Sequence, residues 1–447
     1  MLNKSNICFL TVIMALIMAS LNANAVTLIA YPDGSGEYPT IQTTVNAAND
    51  GDTVLLADGV FHGRGNYDVR FLGKAIVISS LSGIAENCVI DVEGLENGIA
   101  ERGFIFDNNE GPNSILQNIT IIHGSADAPC PECEGGGINI IGGSPTIRNM
   151  IFRENYAATG AAISCSIHAS PTFEHCTIIE NTGFEAAIAA LDSCNLNIND
   201  CLISDNIMEL RGGGFSIQDY STATITNSTI TNNYAILGAG LSAWNANYIV
   251  SNSIISFNGG GASISDNEDS DFQFRYSDIF GNTEGDWIDS IAGQLGNDGN
   301  INSNPLYIDT TICCYYLQSG SPCINTGDPD SPLDPDGSRA DMGTFYYGET
   351  GISSGDPSLP GQISLSQNYP NPFNPATSIS FSLSEPSHVS LTVYDLLGRK
   401  VQSLVNDRRE PGTYQVTFDA SELAGGVYFY ILTSDNTKIT RKALLVK

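Results

Sequence analysis

Six asparagines, Asn155, Asn181, Asn206, Asn233, Asn258 and Asn282, recur at intervals of 26, 25, 27, 25 and 24 residues. A second column lies six residues earlier in each copy: Asn149, His175, Asp200, Asn227, Asn252 and Tyr276, with Asn118 one turn before. Leu116, Ile147, Phe173, Ile198, Ile225, Val250 and Phe274 precede that column by two residues, and Ile121, Phe152, Ile178, Ile203, Ile230, Ile255 and Ile279 follow it by three. A unit this short cannot bury its own apolar face, so its copies must stack.

Within one copy, Phe173 points inward, His175 turns a corner, Cys176 and Ile178 point in, and Thr177 and Ile179 point out. A period of two marks a short strand. A small-small-apolar step then opens another strand at Gly136-Gly137-Ile138, Ala161-Ala162-Ile163, Ala186-Ala187-Ile188, Gly213-Gly214-Phe215 and Ala239-Gly240-Leu241. Each turn thus holds two or three strands, each paired in parallel with its equivalent one coil away, at about 4.8 Å. Asparagine suits the corners because it tolerates left-handed backbone and its amide can bond from coil to coil. β-Branched residues and glycine dominate, which excludes a helical or leucine-rich repeat. An antiparallel sandwich would not hold one register through the whole array. The expected fold is an all-β parallel β-helix. Ile41, Val45 and Ala48 share one face of the helical stretch from Pro39 to Ala48, which would cap the open core end. Residues 304–345 read as irregular closing turns.

The 447-residue chain has a net charge of -31, although only 15% of its residues are charged. The acidity reflects a shortage of Lys and Arg, which excludes phosphate backbones and makes nucleic acid an unsuitable partner. Divalent cations, neutral glycans and basic partners remain open. Lys4, the apolar run Ile7 to Ala19 and Ala23-Asn24-Ala25 read as a signal peptide over residues 1–25, and no later segment is apolar enough to span a membrane. The mature chain is therefore expected outside the cell, as a β-helix over 26–347, a Gly/Ser/Pro-rich linker over 348–362 and a second domain over 363–447. Cysteines that survive export face an oxidising compartment. Cys176 and Cys201 share a small inward column, as a bridge or as buried thiols; Cys130 and Cys133 suit a bridge pinning a loop; Cys313, Cys314 and Cys323 suit a local tie.

The texture changes after the linker. Thr377 to Leu383, Val389 to Tyr394, Tyr414 to Phe418, Gly426 to Leu432 and Lys442 to Val446 alternate, as in a small antiparallel, Ig-like β-sandwich.

Two resemblances follow from these residues. Tyr38-Pro39-Thr40-Ile41-Gln42, Asp50-Gly51-Asp52-Thr53-Val54, the asparagine-marked coils, Ser319 to Asn325 and Asp334 to Gly343 resemble the right-handed parallel β-helix proteins of the pectin-lyase-like class, in their bacterial extracellular branch. Right-handedness comes from that resemblance alone. Asn368-Tyr369-Pro370-Asn371-Pro372-Phe373-Asn374-Pro375, Val393 to Gly398 and Leu423 to Tyr428 resemble the type A C-terminal sorting domain of the bacterial type IX secretion system. That likeness implies handling by the type IX machinery, passage of the outer membrane, removal of the tail, and release or attachment at the outer-membrane surface.

The first resemblance is specific for fold and nearly silent on activity. Enzymes of this class work in a groove along one stacked face; lyases use carboxylates for calcium and a cationic base, and hydrolases use paired carboxylates. The array has no Asp-Asp pair and no Gly-His-Gly. Glu154, Glu180 and Asp205 each precede the asparagine of their coil, so like charges stack about 5 Å apart and a Ca2+ ion would relieve them. Arg153 lies beside them and His123 precedes them in the column. Solvated corner residues splayed apart, with Arg153 neutralising a neighbour, explain the same pattern. His175 above Asp200 is a candidate acid–base pair, or a charged substitute in the corner column. Arg148 beside Glu174 suits a surface ion pair. Asp328, Asp330, Asp334, Asp336 and Asp341 cluster without the order of an EF-hand loop. Asn139, Ser164, Ser216 and Ser242 are expected to face outward beside Trp244, whose indole would stack on a sugar ring. The leading reading is a non-catalytic glycan-binding, adhesive or structural protein; the alternative is a polysaccharide lyase or glycoside hydrolase acting on extracellular polysaccharide.

Overall fold

The computed structural model describes residues 25–94, 101–127, 133–261, 264–267, 269–309 and 314–347, and in the C-terminal part 364–365, 368, 373–383, 387–395, 399–409, 412–421, 423–434 and 437–445. Residues 1–24 of the expected signal peptide, Cys130, Cys313 and the expected linker over 348–362 lie outside them. The chain divides into two compact units, residues 1–305 with 322–346, and 306–321 with 347–447.

The first unit is a right-handed parallel β-solenoid. Each middle coil contributes four short strands rather than two or three. In one such coil they are Thr172–Glu174, Thr177–Ile179, Thr182–Glu185 and Ile188–Ala190. Stacked in parallel, they build sheets of ten, nine, six and eight strands respectively. Register is kept column by column: Ile178 pairs with Ile203, which pairs with Ile230, which pairs with Ile255, all buried inside one continuous core.

The asparagine column sits inside the wall. All six residues are buried. The Oδ1 of Asn206 accepts from the backbone N–H of Asn181 at 3.0 Å and from its Nδ2 at 2.9 Å, and Asn206 Nδ2 donates to Asn233 Oδ1 at 2.8 Å and to Ile178 O at 3.0 Å. The same pattern runs from Asn155 to Asn282, whose N–H and Nδ2 both donate to Asp286 Oδ1 at 2.9 Å. Each amide thus uses two acceptor and two donor sites, and neither Asp nor Ser could replace it. The left-handed turn expected at this column belongs to the residue before it: His123, Glu154, Glu180, Asp205, Asn232 and Phe257 all have φ between 54° and 58°. That residue swings the chain round so that the asparagine side chain can point inward. The corner column from Asn118 to Tyr276 is left-handed as expected, with φ of 47° to 58°.

A second, shorter ladder closes the other side of the corner. Backbone N–H groups of Cys176, Cys201, Ser228 and Ser253 point at the side chain of the next coil, Cys201 Sγ (3.4 Å), Ser228 Oγ (3.2 Å), Ser253 Oγ (3.1 Å) and Ser277 Oγ (3.4 Å). Cys176 and Cys201 are buried thiols, serving as small polarizable acceptors in a serine column. Burial pushes the Cys201 thiol well above its ordinary range, so it stays protonated and inert. Cys133 is disulfide-bonded.

Both core ends are covered. The helix Ile41–Ala47, with Thr40 and Thr43 in a reciprocal capping box, buries Ile41 and Val45 over one end. At the other, Trp287 packs edge-on against Phe274 and donates Nε1–H to Ile301 O at 2.9 Å. The segment 322–344 does not continue the coils. It returns along the outer face of the nine-stranded sheet, where Thr344 Oγ1 donates to Cys201 O at 2.6 Å and Gly343 N–H to Asn252 O at 2.8 Å. Leu202, Thr229, Ile254 and Asp278, which would face solvent, are buried. Burial pushes the Asp278 carboxyl up to about 7, and Cys323 Sγ lies 3.4 Å from its Oδ2.

The second unit pairs Tyr307–Asp309 with Cys314–Leu317 and forms two antiparallel sheets. One holds Ser364–Leu365, Ala376–Leu383 and Gly412–Asp419; the other holds Lys400–Arg409, Ser387–Asp395, Gly426–Ser434 and Thr437–Leu445. Ile379, Phe381, Leu391, Val393, Phe418 and Tyr430 form its core, the small antiparallel arrangement expected from the alternation.

Substituting Asn206→Ala strands the N–H of Asn181, takes one acceptor from its Nδ2 and removes donors from Ile178 O and Asn233 Oδ1. Buried groups left unpaired in this way should cost about 3 kcal/mol in urea unfolding, against about 0.5 kcal/mol or less for the solvent-facing Asn197→Ala.

Candidate functional site

Three of the expected carboxylates lie in the left-handed column before the ladder, on consecutive coils, and their side chains turn to different partners. Glu154 accepts from Arg153 Nη1 at 2.8 Å through Oε1 and faces His123 Nε2 at 3.4 Å through Oε2. Asp91 Oδ1 holds the other ring nitrogen of His123 at 2.9 Å. Asn232 Nδ2 donates to Asp205 Oδ1. Glu180 occupies the rung between them with φ of 56°. Among the described residues no three His, Cys, Asp or Glu side chains come together as a group that could hold a metal ion. Arg153 is paired with Glu154 within this column.

The hydrogen bond to Glu154, opposed by burial and aided by Asp91, pushes His123 up to about 9. Its charged form belongs to the folded state, so this contribution is complete below the ordinary imidazole range and is lost as pH rises through about 9.

His175 is exposed, and Asp200 takes a side-chain hydrogen bond from Asn227 while burial raises its carboxyl; His175 acts on it through charge alone, in the lowering direction. Arg148 does not pair with Glu174. Both Gln117 and Glu174 are its register partners, and its Nε donates to Gln117 Oε1 at 2.6 Å. In the acidic closing segment, Asp334 Oδ2 accepts from Asp341 N–H, Asp341 Oδ1 from Asn325 N–H and Asp336 Oδ1 from Ser338 N–H. These carboxylates brace turns. Burial and the neighbouring Asp341 push Asp334 up to about 6.

The small polar column beside Trp244 is not on the surface: Asn139, Ser164, Ser216 and Ser242 are all buried. Left-handed Gly135, Gly160, Gly212 and Gly238 fold each coil back over its own strand. A Cβ on Gly212 would lie 2.6 Å from Phe215 O and 2.8 Å from Ser216 Cβ, so glycine is required there and the residue beneath it must be small; in the intervening coil Ala186 takes the left-handed position. The next column along does reach solvent. Trp244 ends the strand Leu241–Trp244 with 52% of its surface exposed, beside its register partner Gln218. Tyr220, on the preceding coil, is 79% exposed; its N–H donates to Asn245 O at 2.6 Å. Asn245 in turn exchanges hydrogen bonds with Asn267, both at 2.9 Å. Two open aromatic rings with amides around them therefore stand on adjacent coils at the corner between the eight- and ten-stranded sheets. Tyr220 carries no signal in the sequence because its corner holds Ile167-His168, Asp192-Ser193 and Asp219-Tyr220 in successive coils, with no residue type common to all three. The left-handed backbone at all six positions is what unites them.

For the His123 cluster, the urea midpoint of the parent protein should fall between pH 7 and 9 more steeply than that of His123→Gln, which lacks the titrating group.

Comparison with known families agrees with this architecture. A right handed beta helix region matches residues 103–249 and 186–302, and a secretion system C-terminal sorting domain matches residues 367–447. No curated protein matches the chain. Among solved structures, the enzymatically active domain of bacteriophage CBA120 tailspike protein 4 aligns over 92% of this chain and 67% of its own at 11% identity, with a TM-score of 0.21, too low to carry an argument. The sorting domain marks the chain for type IX secretion or cell-surface export, and no helix among the described residues is long and apolar enough to cross a membrane. The chain is a right-handed parallel β-helix protein that carries a secretion-system C-terminal sorting domain.

Proposed function

We propose that this exported β-helix protein binds extracellular glycan at the corner formed by Trp244 and Tyr220. The observation that carries the reading is the exposure of both rings on adjacent coils, where burial would otherwise be favoured. An indole or phenol ring held open by a rigid coil offers an apolar face to the C–H face of a sugar, and Gln218 and Asn245, whose Nε2 and Oδ1 are bonded to Glu185 and Asn267, offer the opposite atom of each amide to its hydroxyls. The sorting domain accounts for how the site reaches the outside. The lyase or hydrolase alternative at Glu154, Glu180 and Asp205 would have to displace Arg153 and His123 from Glu154 and Asn232 from Asp205.

Trp244→Ala should weaken retention on a glycan array about tenfold, a loss of roughly 1.4 kcal/mol, and Tyr220→Ala should weaken it in the same direction, with far-UV circular dichroism unchanged. Equal retention by parent and both variants would end the proposal. Deleting residues 367–447 should leave the chain in the periplasm on cell fractionation, with the solenoid folded.

A further inference from the structure

We infer that the outer face of the ten-stranded sheet, over the strands Asn195–Asn199, Thr222–Thr226 and Asn247–Ser251, binds a neutral, hydroxyl-rich polysaccharide whose chain runs along the solenoid axis from coil to coil. The inference rests on the glycan-binding reading of the adjoining Trp244 and Tyr220 corner, which leads directly into these strands.

Nine side chains point outward from the three strands: Asn195, Asn197 and Asn199, then Thr222, Thr224 and Thr226, then Asn247, Ile249 and Ser251. None is charged, in a chain whose net charge is -31. Register sets them in three rows, Asn195–Thr222–Asn247, Asn197–Thr224–Ile249 and Asn199–Thr226–Ser251. Strand geometry places neighbours in a row about 4.8 Å apart and the rows about 7 Å apart. Within this grid, one contact joins two of the side chains, Ser251 Oγ to Thr226 Oγ1 at 3.5 Å. The remaining amides and hydroxyls are turned to solvent, and each amide or hydroxyl can both donate and accept. Ile249, 43% exposed, adds an apolar spot inside the grid.

Charge chooses the class of glycan. No lysine occurs between Lys74 and Lys400, and Arg211 is the sole Lys or Arg between Arg153 and Arg275. Arg211 is spent on Glu185, at 3.3 Å. Asp192, Asp219 and Asp271 stand exposed around the grid. Arg275, the register partner of Ser251, is a cation at the edge of the grid and lies 3.9 Å from Asp328; uronate, sulfate or phosphate groups would still meet more carboxylates than cations, whereas uncharged hydroxyls meet partners of matching chemistry. Repetition chooses a polymer over a single sugar: equivalent groups on successive coils engage successive units of one chain, and each added contact is intramolecular.

The test titrates the full mature protein with soluble neutral gluco- and manno-oligosaccharides of increasing length, and with oligogalacturonate of matched length, by calorimetry at low and high salt. Binding to a neutral series that tightens with length and changes little with salt is expected, and Thr224→Lys and Asn197→Glu should each weaken it about tenfold. Both substitutions sit on a solvent face, and circular dichroism checks that the solenoid stays folded. Tighter binding of oligogalacturonate, or affinity independent of length, overturns the inference. Binding lost in Trp244→Ala but unchanged in Thr224→Lys and Asn197→Glu confines the ligand to the corner, which overturns this inference and leaves the proposed function standing. Binding unchanged in all three variants overturns both.

Discussion

A solenoid wall has no water inside it, so every backbone N–H that turns a corner must find a partner in the next coil. The asparagine ladder meets that demand, and the rest of the structure is arranged around it. The distance from corner column to ladder is six residues in every coil from Asn149–Asn155 to Tyr276–Asn282. Variation in the repeat falls instead between the ladder and the next inward apolar residue, where the chain forms the six-stranded sheet. There the strand Ile207–Arg211 is one residue longer than Thr182–Glu185, and the pairing slips between Gly183 and Glu185. A coil can change length where its side chains face solvent, but not across a run whose amides are each committed to two neighbours.

This division explains which parts of the fold were legible. Columns under the ladder constraint, Phe173, His175, Cys176, Ile178 and Asn181 in one coil, repeat closely enough to give strand direction and register from sequence. The six-stranded sheet has no strand signal in the sequence because Tyr156–Thr159, Thr182–Glu185 and Ile207–Arg211 bury only their second residue and do not alternate. Asparagine tolerates left-handed backbone best, so residue preference alone points to the ladder asparagines. The structure gives it to a column that includes Glu154 and Phe257, where coil geometry overrides residue preference. The returning segment was read as closing turns because its contacts, such as Thr344 with Thr229, join residues 115 apart with no repeating signal.

The site was legible in the same uneven way. Trp244 stood out as a large ring in a column of small residues, but the burial of Ser216 and Ser242 depends on Gly212 and Gly238 folding back over them, a three-dimensional fact with no local motif. The repeat places Glu154, Glu180 and Asp205 at one position on three coils, and their shared left-handed backbone agrees with that placement. Sequence could not show that Asn232, one rung further, would turn its amide onto Asp205, nor that His123 would be held between Asp91 and Glu154.

The architecture itself narrows where a ligand can lie. On the outer face of the nine-stranded sheet, the returning segment buries Leu202, Thr229 and Ile254. On the eight-stranded sheet, the glycine turns bury the small polar column. The strands of the six-stranded sheet are short and interrupted by Gly183, Gly259 and Gly260. On the ten-stranded sheet the outward side chains from Asn195 to Ser251 are exposed or half-buried, with the exposed rings of Tyr220 and Trp244 at its border. An acidic protein keeps itself soluble through surface carboxylates, so a contiguous run of uncharged amides and hydroxyls on this sheet is best explained by a partner that requires it. The same regular spacing of the coils that satisfies the buried amides then sets the outward groups at a constant interval, so one physical constraint governs both the core and the face offered to the outside.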